Sequence, residues 1–299
     1  MKKKNKIKKQ LEEDASVVLE PQENLPQEDA VPAESSDAEA KASEQPQTEN
    51  DGEEAPKEEK QTEIIKTYRK NPWSVFFKRF FDIFISFFAI IIFSPLILLV
   101  ALLVRIKLGK GVIFSQYRPG KNNKIFKLYK FRTMTNAKNE KGELLPDKDR
   151  KSKFGNMLRK TSLDELPQLF NILKGDMSII GPRPKLVKDM VYYSDEQNVR
   201  SLVRPGLTGL AQVNGRNNAT WEEIFEYDKQ YVQKISFWLD FKIFFKTIGK
   251  VFKKADIVEQ DQTKQNYYYG DYLLETNQIT KEEYDEKQQE AKELIKKAS

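Results

Sequence analysis

Asp164 and Glu165 stand side by side in TSLDELPQLFNILKGDMSIIGPRP, residues 161–184. Pro167 follows two residues later, and the stretch closes on Gly181-Pro182-Arg183-Pro184. Adjacent carboxylates have a local use, because Ser162-Leu163-Asp164-Glu165 fits the capping-box pattern and acids suit the first turn of a helix. Pro167 argues against a helix starting at Ser162, since a proline that deep in a helix forfeits a hydrogen bond. A start one or two residues later accommodates Pro167. Asp164 then sits at the cap or in the first turn, where unpaired N–H groups also attract phosphate.

The neighbourhood is cationic. Arg159 and Lys160 precede the pair, and Lys174 and Arg183 follow it. The flanking prolines stiffen the backbone at Arg183, and a stiff backbone presents a guanidinium to a phosphate at lower entropic cost. Lys130-Phe131-Arg132 adds two more cations, and Arg204-Pro205-Gly206-Leu207-Thr208-Gly209 is a second rigid turn led by arginine. Lys130, Arg132, Arg159, Arg183 and Arg204 are therefore candidate phosphate binders. Together with the carboxylate pair they point to phosphoryl chemistry.

Composition removes the competing chemistries. The 299 residues include no Cys and no His. Disulfides, thiol nucleophiles, Cys- or His-ligated zinc and Ser-His hydrolysis are all excluded. A metal here takes oxygen ligands, which favours Mg²⁺ or Mn²⁺. Residues 1–70 hold 12 basic and 18 acidic residues, a net of −6, so the remaining chain carries +12. A basic body implies an anionic partner: phosphate groups, an anionic membrane or nucleic acid.

The elements that must position these residues divide the chain into four parts. Residues 1–70 are polar and acidic behind a basic start, MKKKNKIKKQ, and are predicted to be disordered. No apolar run follows that start, so no secretory signal is read. Residues 71–110 contain FFDIFISFFAIIIFSPLILLVALLV, residues 80–104, with Asp82 its one charge. Its length suits a transmembrane helix. Pro95, however, is expected to break it, with Ser94 bonding a freed carbonyl. Lys78 and Arg79 at one end and Arg105 and Lys107 at the other place both ends on the cytoplasmic side. On the residues alone, a re-entrant helix-break-helix and a kinked spanning helix both fit.

Residues 111–254 form the predicted catalytic domain. Residues 112–134 read as a β-hairpin around Pro119-Gly120-Lys121-Asn122-Asn123, and residues 135–153 as a loop. FWLDFKIFFKTIGKVFKK, residues 237–254, puts Phe237, Trp238, Phe241, Phe244, Phe245, Ile248 and Phe252 on one helical face. Lys242, Lys246, Lys250 and Lys253 fall on the other. Such a helix suits a membrane interface, against the plainer alternative of a surface helix packed on its own domain. Residues 255–299 are a polar extension in which Tyr267, Tyr268 and Tyr269 cluster and Thr280-x-x-Glu283 opens a final helix. The expected class is α+β: a mostly helical monotopic membrane protein with one hairpin and interfacial helices.

In this order, KRFFDIFIS…FSPLILL, IFSQYRPGKNNKIFKLYKFRTM, TSLDELPQLFNILKGDMSIIGPRP and VRPGLTGLAQVNGRN resemble the bacterial sugar transferase family of monotopic polyprenyl-phosphate sugar-1-phosphate transferases. The resemblance covers residues 78–218 and continues to about residue 254. It implies transfer of a sugar 1-phosphate from a UDP-sugar to undecaprenyl phosphate with release of UMP, as the opening step of capsule, exopolysaccharide or glycoprotein glycan assembly. It implies that Asp164 is the nucleophile, forming an aspartyl phosphosugar, and that Glu165 helps to hold Mg²⁺. It also implies that Ser94-Pro95 makes the membrane helix re-entrant at the cytoplasmic face of a bacterial membrane. The partners are then the UDP-sugar, undecaprenyl phosphate and the lipid bilayer, with no role for nucleic acid. A homo-oligomer is left open, as is the identity of the sugar. Two rivals are a membrane-tethered basic scaffold, which gives no reason for the Asp-Glu pair, and a Mg²⁺-dependent nucleotide-sugar pyrophosphatase, which has no need of the apolar segment.

Overall fold

A computed structural model describes residues 73–215, 219–253 and 268–299. The acidic segment 1–70, residues 255–267 with Tyr267, and the side chains of Phe252 and Lys253 lie outside the described residues.

One wide helical turn, Trp73–Phe77, leads into α1, Lys78–Leu108. The helix runs unbroken through Pro95, which corrects the expected helix-break-helix. Pro95 lacks the N–H that would bond the carbonyl of Ile91, four residues back. Ser94 Oγ donates to that same carbonyl at 2.8 Å, so the orphaned acceptor is satisfied and the helix persists.

The charged residues at the start of α1 are structural pins. Lys78 Nζ pairs with Asp240 Oδ2 at 2.8 Å, and Trp73 Nε1 donates to the same oxygen at 3.0 Å. Tyr231 OH donates to Asp240 Oδ1 at 2.8 Å. Arg79 donates to the carbonyls of Ile172 and Leu173 at 2.7 and 3.0 Å. Asp82 Oδ1 accepts from Ser178 Oγ and the Ile179 N–H, both at 3.0 Å. Farther along, Ala89 and Ile90 pack on Phe126, Leu128, Leu169, Ile172 and Met177. Val100, Val104 and Leu108 bury against Phe131 and Leu158. The helix is therefore held by one body along its whole length. Its outer side stays bare, with Leu98 71%, Ile92 69% and Phe80 57% exposed.

The hairpin forms as expected, from β1, Ile113–Pro119, and antiparallel β2, Ile125–Phe131, with Phe114 opposite Lys130. The next segment is mostly loop, with one helical turn, α2, Asp147–Arg150. α3, Lys153–Lys160, begins at Ser152, whose side chain accepts from the Gly155 N–H. A 3-10 turn, Leu163–Glu165, then precedes α4, Gln168–Lys174. Two short strands, β3, Ser178–Ile180, and β4, Gly206–Thr208, pair in parallel. Between them lie the helical turns α5, Val187–Met190, and α6, Asp195–Asn198, and a 3-10 turn, Val199–Leu202.

After the short helix α7, Leu210–Asn214, come α8, Trp221–Lys234, and α9, Phe237–Lys253. Two expectations for α9 combine. It packs inward through Asp240 and Ile243, while Trp238 is 67% exposed and Phe237, Phe241, Phe244 and Phe245 are also exposed. Two of its lysines turn to the protein: Lys246 Nζ donates to Asn214 Oδ1 at 3.0 Å and Lys250 Nζ to the Gln212 carbonyl at 3.2 Å. The extension ends in α10, Tyr269–Glu275, and α11, Lys281–Ala298, whose first turn is capped by Thr280 accepting from the Glu283 N–H at 3.2 Å. Helices with two two-stranded sheets make the described chain α+β.

Candidate active site

Ser162, at φ +55°, adopts the left-handed conformation that turns the chain sharply out of α3. The turn that follows places Asp164 and Glu165 ahead of α4, with Pro167 as that helix's N-cap residue. The side chain of Ser162 makes no capping hydrogen bond. The helix does start after Ser162, but five residues later and not one or two, so Asp164 lies in the preceding 3-10 turn and not at the cap or in the first turn of α4; the capping-box hydrogen bond is not made.

The two carboxylates have different surroundings. Glu165 Oε1 accepts from Lys130 Nζ and Arg183 Nη2, each at 2.8 Å. Burial alone would push the Glu165 carboxyl up. The Arg183 and Lys130 charges overcome this and hold it at about 2. Asp164 is 7% exposed and takes part in no ion pair among the described residues. Burial raises its pKa above the ordinary aspartate range, opposed by Lys130 and Arg159 and reinforced by Glu165. One acid is clamped, its pKa held low; the other is buried and unpaired. This divergence is the pattern by which neighbouring carboxylates take separate roles.

Elements distant in sequence supply the clamp. Lys130 comes from β2, paired with β1. Arg183 follows β3, and the turn that carries it lies against the turn at Arg204: the Gly206 N–H donates to the Pro182 carbonyl at 2.9 Å and the Gly181 N–H to the Thr208 carbonyl at 2.9 Å. A Cβ at Gly206 would collide with the Gly181 backbone, so only glycine permits this approach. Arg200 Nη2 donates to the Arg183 carbonyl at 2.7 Å and pairs with Asp228 Oδ2 at 2.9 Å, fixing the turn from behind.

Of the other three predicted phosphate binders, Arg132 and Arg204 bond helix ends and Arg159 stays near Asp164. Arg132 is buried, and its Nη2 donates to the carbonyls of Leu108 and Gly109 at 2.6 and 2.9 Å. It caps the C-terminus of α1. Arg204 Nε donates to the Gly175 carbonyl at 2.9 Å, at the end of α4. Both guanidiniums neutralise helix C-termini, where carbonyls are unsatisfied and the dipole is negative. Arg159 Nε donates to Thr133 Oγ1 at 2.9 Å, and its charge reaches Asp164. Sequence reading missed Arg200 and Asp228, whose pairing spans two elements and leaves no local motif.

The carboxylate pair suits a small hard cation. Among the described residues no group of three or more acidic side chains could hold a metal alone. Magnesium, however, binds through one or two carboxylates completed by substrate phosphates. Both cations that clamp Glu165 use Oε1, which leaves Oε2 as a ligand atom beside Asp164.

Residues 73–254 match the family model described as bacterial sugar transferase. The chain is 46% identical over 193 residues to the uncharacterized sugar transferase EpsL of Bacillus subtilis, covering 64% of this chain and 96% of that protein. It is 42% identical over 192 residues to the UDP-glucose:undecaprenyl-phosphate glucose-1-phosphate transferase of Klebsiella pneumoniae, covering 61% of this chain and 41% of that protein. It is 40% identical over 198 residues to the undecaprenyl-phosphate galactose phosphotransferase of Salmonella typhimurium, covering 60% and 41%. The chain thus spans about two fifths of the length of the latter two relatives.

Proposed function

The chain belongs to the bacterial sugar transferase family, and from that premise we propose that it transfers a sugar 1-phosphate from a UDP-sugar to undecaprenyl phosphate through an aspartyl phosphosugar. The observation that carries this reading is the contrast between buried, unpaired Asp164 and clamped Glu165. An ionised Asp164 oxygen attacks the phosphorus that bears the sugar. The bond from that phosphorus to the nucleotide's bridging oxygen breaks, and UMP leaves with the electron pair. An oxygen of the lipid phosphate then attacks the same phosphorus, and Asp164 departs as carboxylate. A covalent intermediate lets a soluble donor and a lipid acceptor use one site in turn.

Lys130 and Arg183 hold positive charge where the donor's diphosphate must approach two carboxylates. Glu165, through Oε2, would help to hold the Mg²⁺. Bound there, the metal neutralises charge on the transferring phosphoryl group.

The long apolar helix and the family both associate the protein with a membrane. As one straight rod, α1 would be about 46 Å long at 1.5 Å per residue, beyond the ~30 Å hydrocarbon core. Its start, middle and end all pack on the same body. A spanning helix would carry that body's polar surface into lipid. We therefore read the protein as monotopic, with both ends of α1 at the cytoplasmic face and the exposed aromatics of α9 resting in the same leaflet. Relatives named for undecaprenyl-phosphate transfer support initiation of a surface polysaccharide as the role.

The test is intact-protein mass spectrometry of the full chain with Mg²⁺ and a panel of UDP-sugars, without lipid. An added sugar phosphate, absent in Asp164→Asn and chased off by undecaprenyl phosphate, is expected. Turnover of donor to UMP with water as the only acceptor would instead establish a pyrophosphatase.

A further inference from the structure

Arg183 faces two ways. Its Nη2 meets Glu165, and Arg183 also lines a shallow cleft open to solvent. The cleft runs between the hairpin turn at Asn123, the segment Pro182–Lys185, Tyr193, and the turn bearing Arg200 and Ser201. Two cations besides Arg183 line it, and they differ. Arg200 is engaged: the hydroxyl of Tyr193 and the Arg183 carbonyl accept from it, and Asp228 Oδ2 forms an ion pair with it at 2.9 Å. Lys185 has no carboxylate within ion-pair distance among the described residues. Its amine lies 4.2 Å from the centroid of the Trp221 ring, a contact that holds a cation without neutralising it.

Burial pushes the Lys185 amine down to about 8, with Arg200 and Arg183 acting in the same direction and Asp189 and Asp228 against it. A bound anion reverses such a shift. The remaining walls are flat and apolar, from Pro182, Pro184 and the Tyr193 ring. A cation left without an anion beside flat apolar faces matches a ligand that joins a phosphate to a planar ring.

The transfer reaction supplies one. Asp164 attacks the donor's sugar-bearing phosphorus, so the leaving half, a nucleoside monophosphate, lies on the far side of that phosphorus. Arg183 belongs both to the carboxylate pair and to the cleft, and so links the two. We propose that this cleft seats the nucleoside monophosphate half of the donor, with the Lys185 ammonium as its phosphate contact. The proposal rests on the transferase reading above and assigns that site its donor-binding half.

The probe is UMP, titrated into the full chain in detergent with Mg²⁺. Lys185→Met is expected to weaken UMP binding about tenfold, the size of one lost charge-assisted hydrogen bond. It raises the KM for donor more than it lowers kcat, and Lys185→Arg recovers most of the affinity. Ser201→Phe fills the cleft and removes UMP binding, while Asp164→Asn keeps it. Melting midpoints show which variants fold, and either Lys185→Met or Ser201→Phe suffices for the test. Wild-type protein without saturable UMP binding, or folded variants that bind UMP as wild type does, overturns the proposal. If transfer to lipid proceeds while neither variant alters UMP affinity, the cleft assignment alone fails. If UMP binds through Lys185 but no donor yields a lipid product, the transferase reading fails and the cleft stands.

Discussion

Arg183 Nη2 and Glu165 Oε1 lie 2.8 Å apart, and Lys130 Nζ meets the same oxygen at the same distance. The three residues come from a turn after β3, the turn before α4 and the end of β2. Two cations on one oxygen over-neutralise Glu165 and leave Asp164 as the free acid of the pair. Substitution should therefore separate the two roles. Asp164→Asn should lower transfer by about 10⁴-fold or more, the scale seen on removing a nucleophile. Arg183→Met and Lys130→Met should each lower kcat by about 10²-fold, the scale of one lost electrostatic stabiliser. Steady-state kinetics with purified protein checks all three. A fully active Asp164→Asn would remove the covalent mechanism.

The pH dependence follows from the same contrast. The folded-state pKa of Glu165, about 2, is below its ordinary value, so the clamp stabilises the protein above the ordinary glutamate range. That contribution is lost as pH falls through about 4.3 toward 2. Asp164 is shifted upward by burial, so the activity that needs its anion should fall at a pH above the ordinary aspartate range. Lys130→Met removes a charge that opposes this shift and should move the acid limb of kcat/KM further up. A limb that stays put in Lys130→Met would mean that another group controls it.

Much of this was legible in sequence because it is local. The hairpin needed only two apolar runs and a Pro-Gly-Lys-Asn-Asn turn, and Pro167 showed that the helix starts after Ser162, though not that a separate 3-10 turn would hold Asp164. The cations were harder. Lys130 and Arg183 could not be distinguished from Arg132 and Arg204 by type or by neighbouring residues, because what separates them is which acceptor the fold brings within 3 Å. For Arg132 and Arg204 that acceptor is a helix C-terminus remote in sequence. The parallel pairing of β3 and β4 was invisible for the same reason: each strand is three residues long. The Ser94 bond was legible at Pro95, but not that this single bond to the Ile91 carbonyl lets the helix continue through the proline.

The C-terminal extension lies outside the family match, yet it is fastened to the catalytic body. Asp189 Oδ2 accepts from the Leu186 N–H and Oδ1 from the Tyr269 N–H, both at 3.0 Å, tying the segment after Arg183 to α10. Tyr269, Phe225 and Leu273 bury together, with Trp221 and Tyr193 packed against them. Gly270 sits where a Cβ would lie 2.5 Å from the Tyr192 ring. Gly270→Val should therefore undock α10 and α11. Limited proteolysis should release the extension early, and Trp221 emission should shift to the red as its ring is uncovered. An extension that stays protected in Gly270→Val would show that the packing around Gly270 does not hold it.

The membrane topology can be read directly because the chain contains no cysteine. Single cysteines at Phe76, ahead of α1, and at Lys110, beyond its end, are both at exposed positions. A helix that enters and leaves by one face puts both on the same side. In intact cells a membrane-impermeant maleimide should label neither, and in inverted vesicles it should label both. A spanning helix gives opposite results for the two positions in each preparation. The pins on Lys78, Arg79 and Asp82 fix the first end to the body, and the Leu108 carbonyl bonded to Arg132 fixes the second. Arg132→Ala releases that second end only. If these contacts set the topology, it should raise labelling of the Lys110 cysteine from the outside while the Phe76 cysteine stays protected. Unchanged labelling of both would assign the topology to the helix itself and not to its anchors.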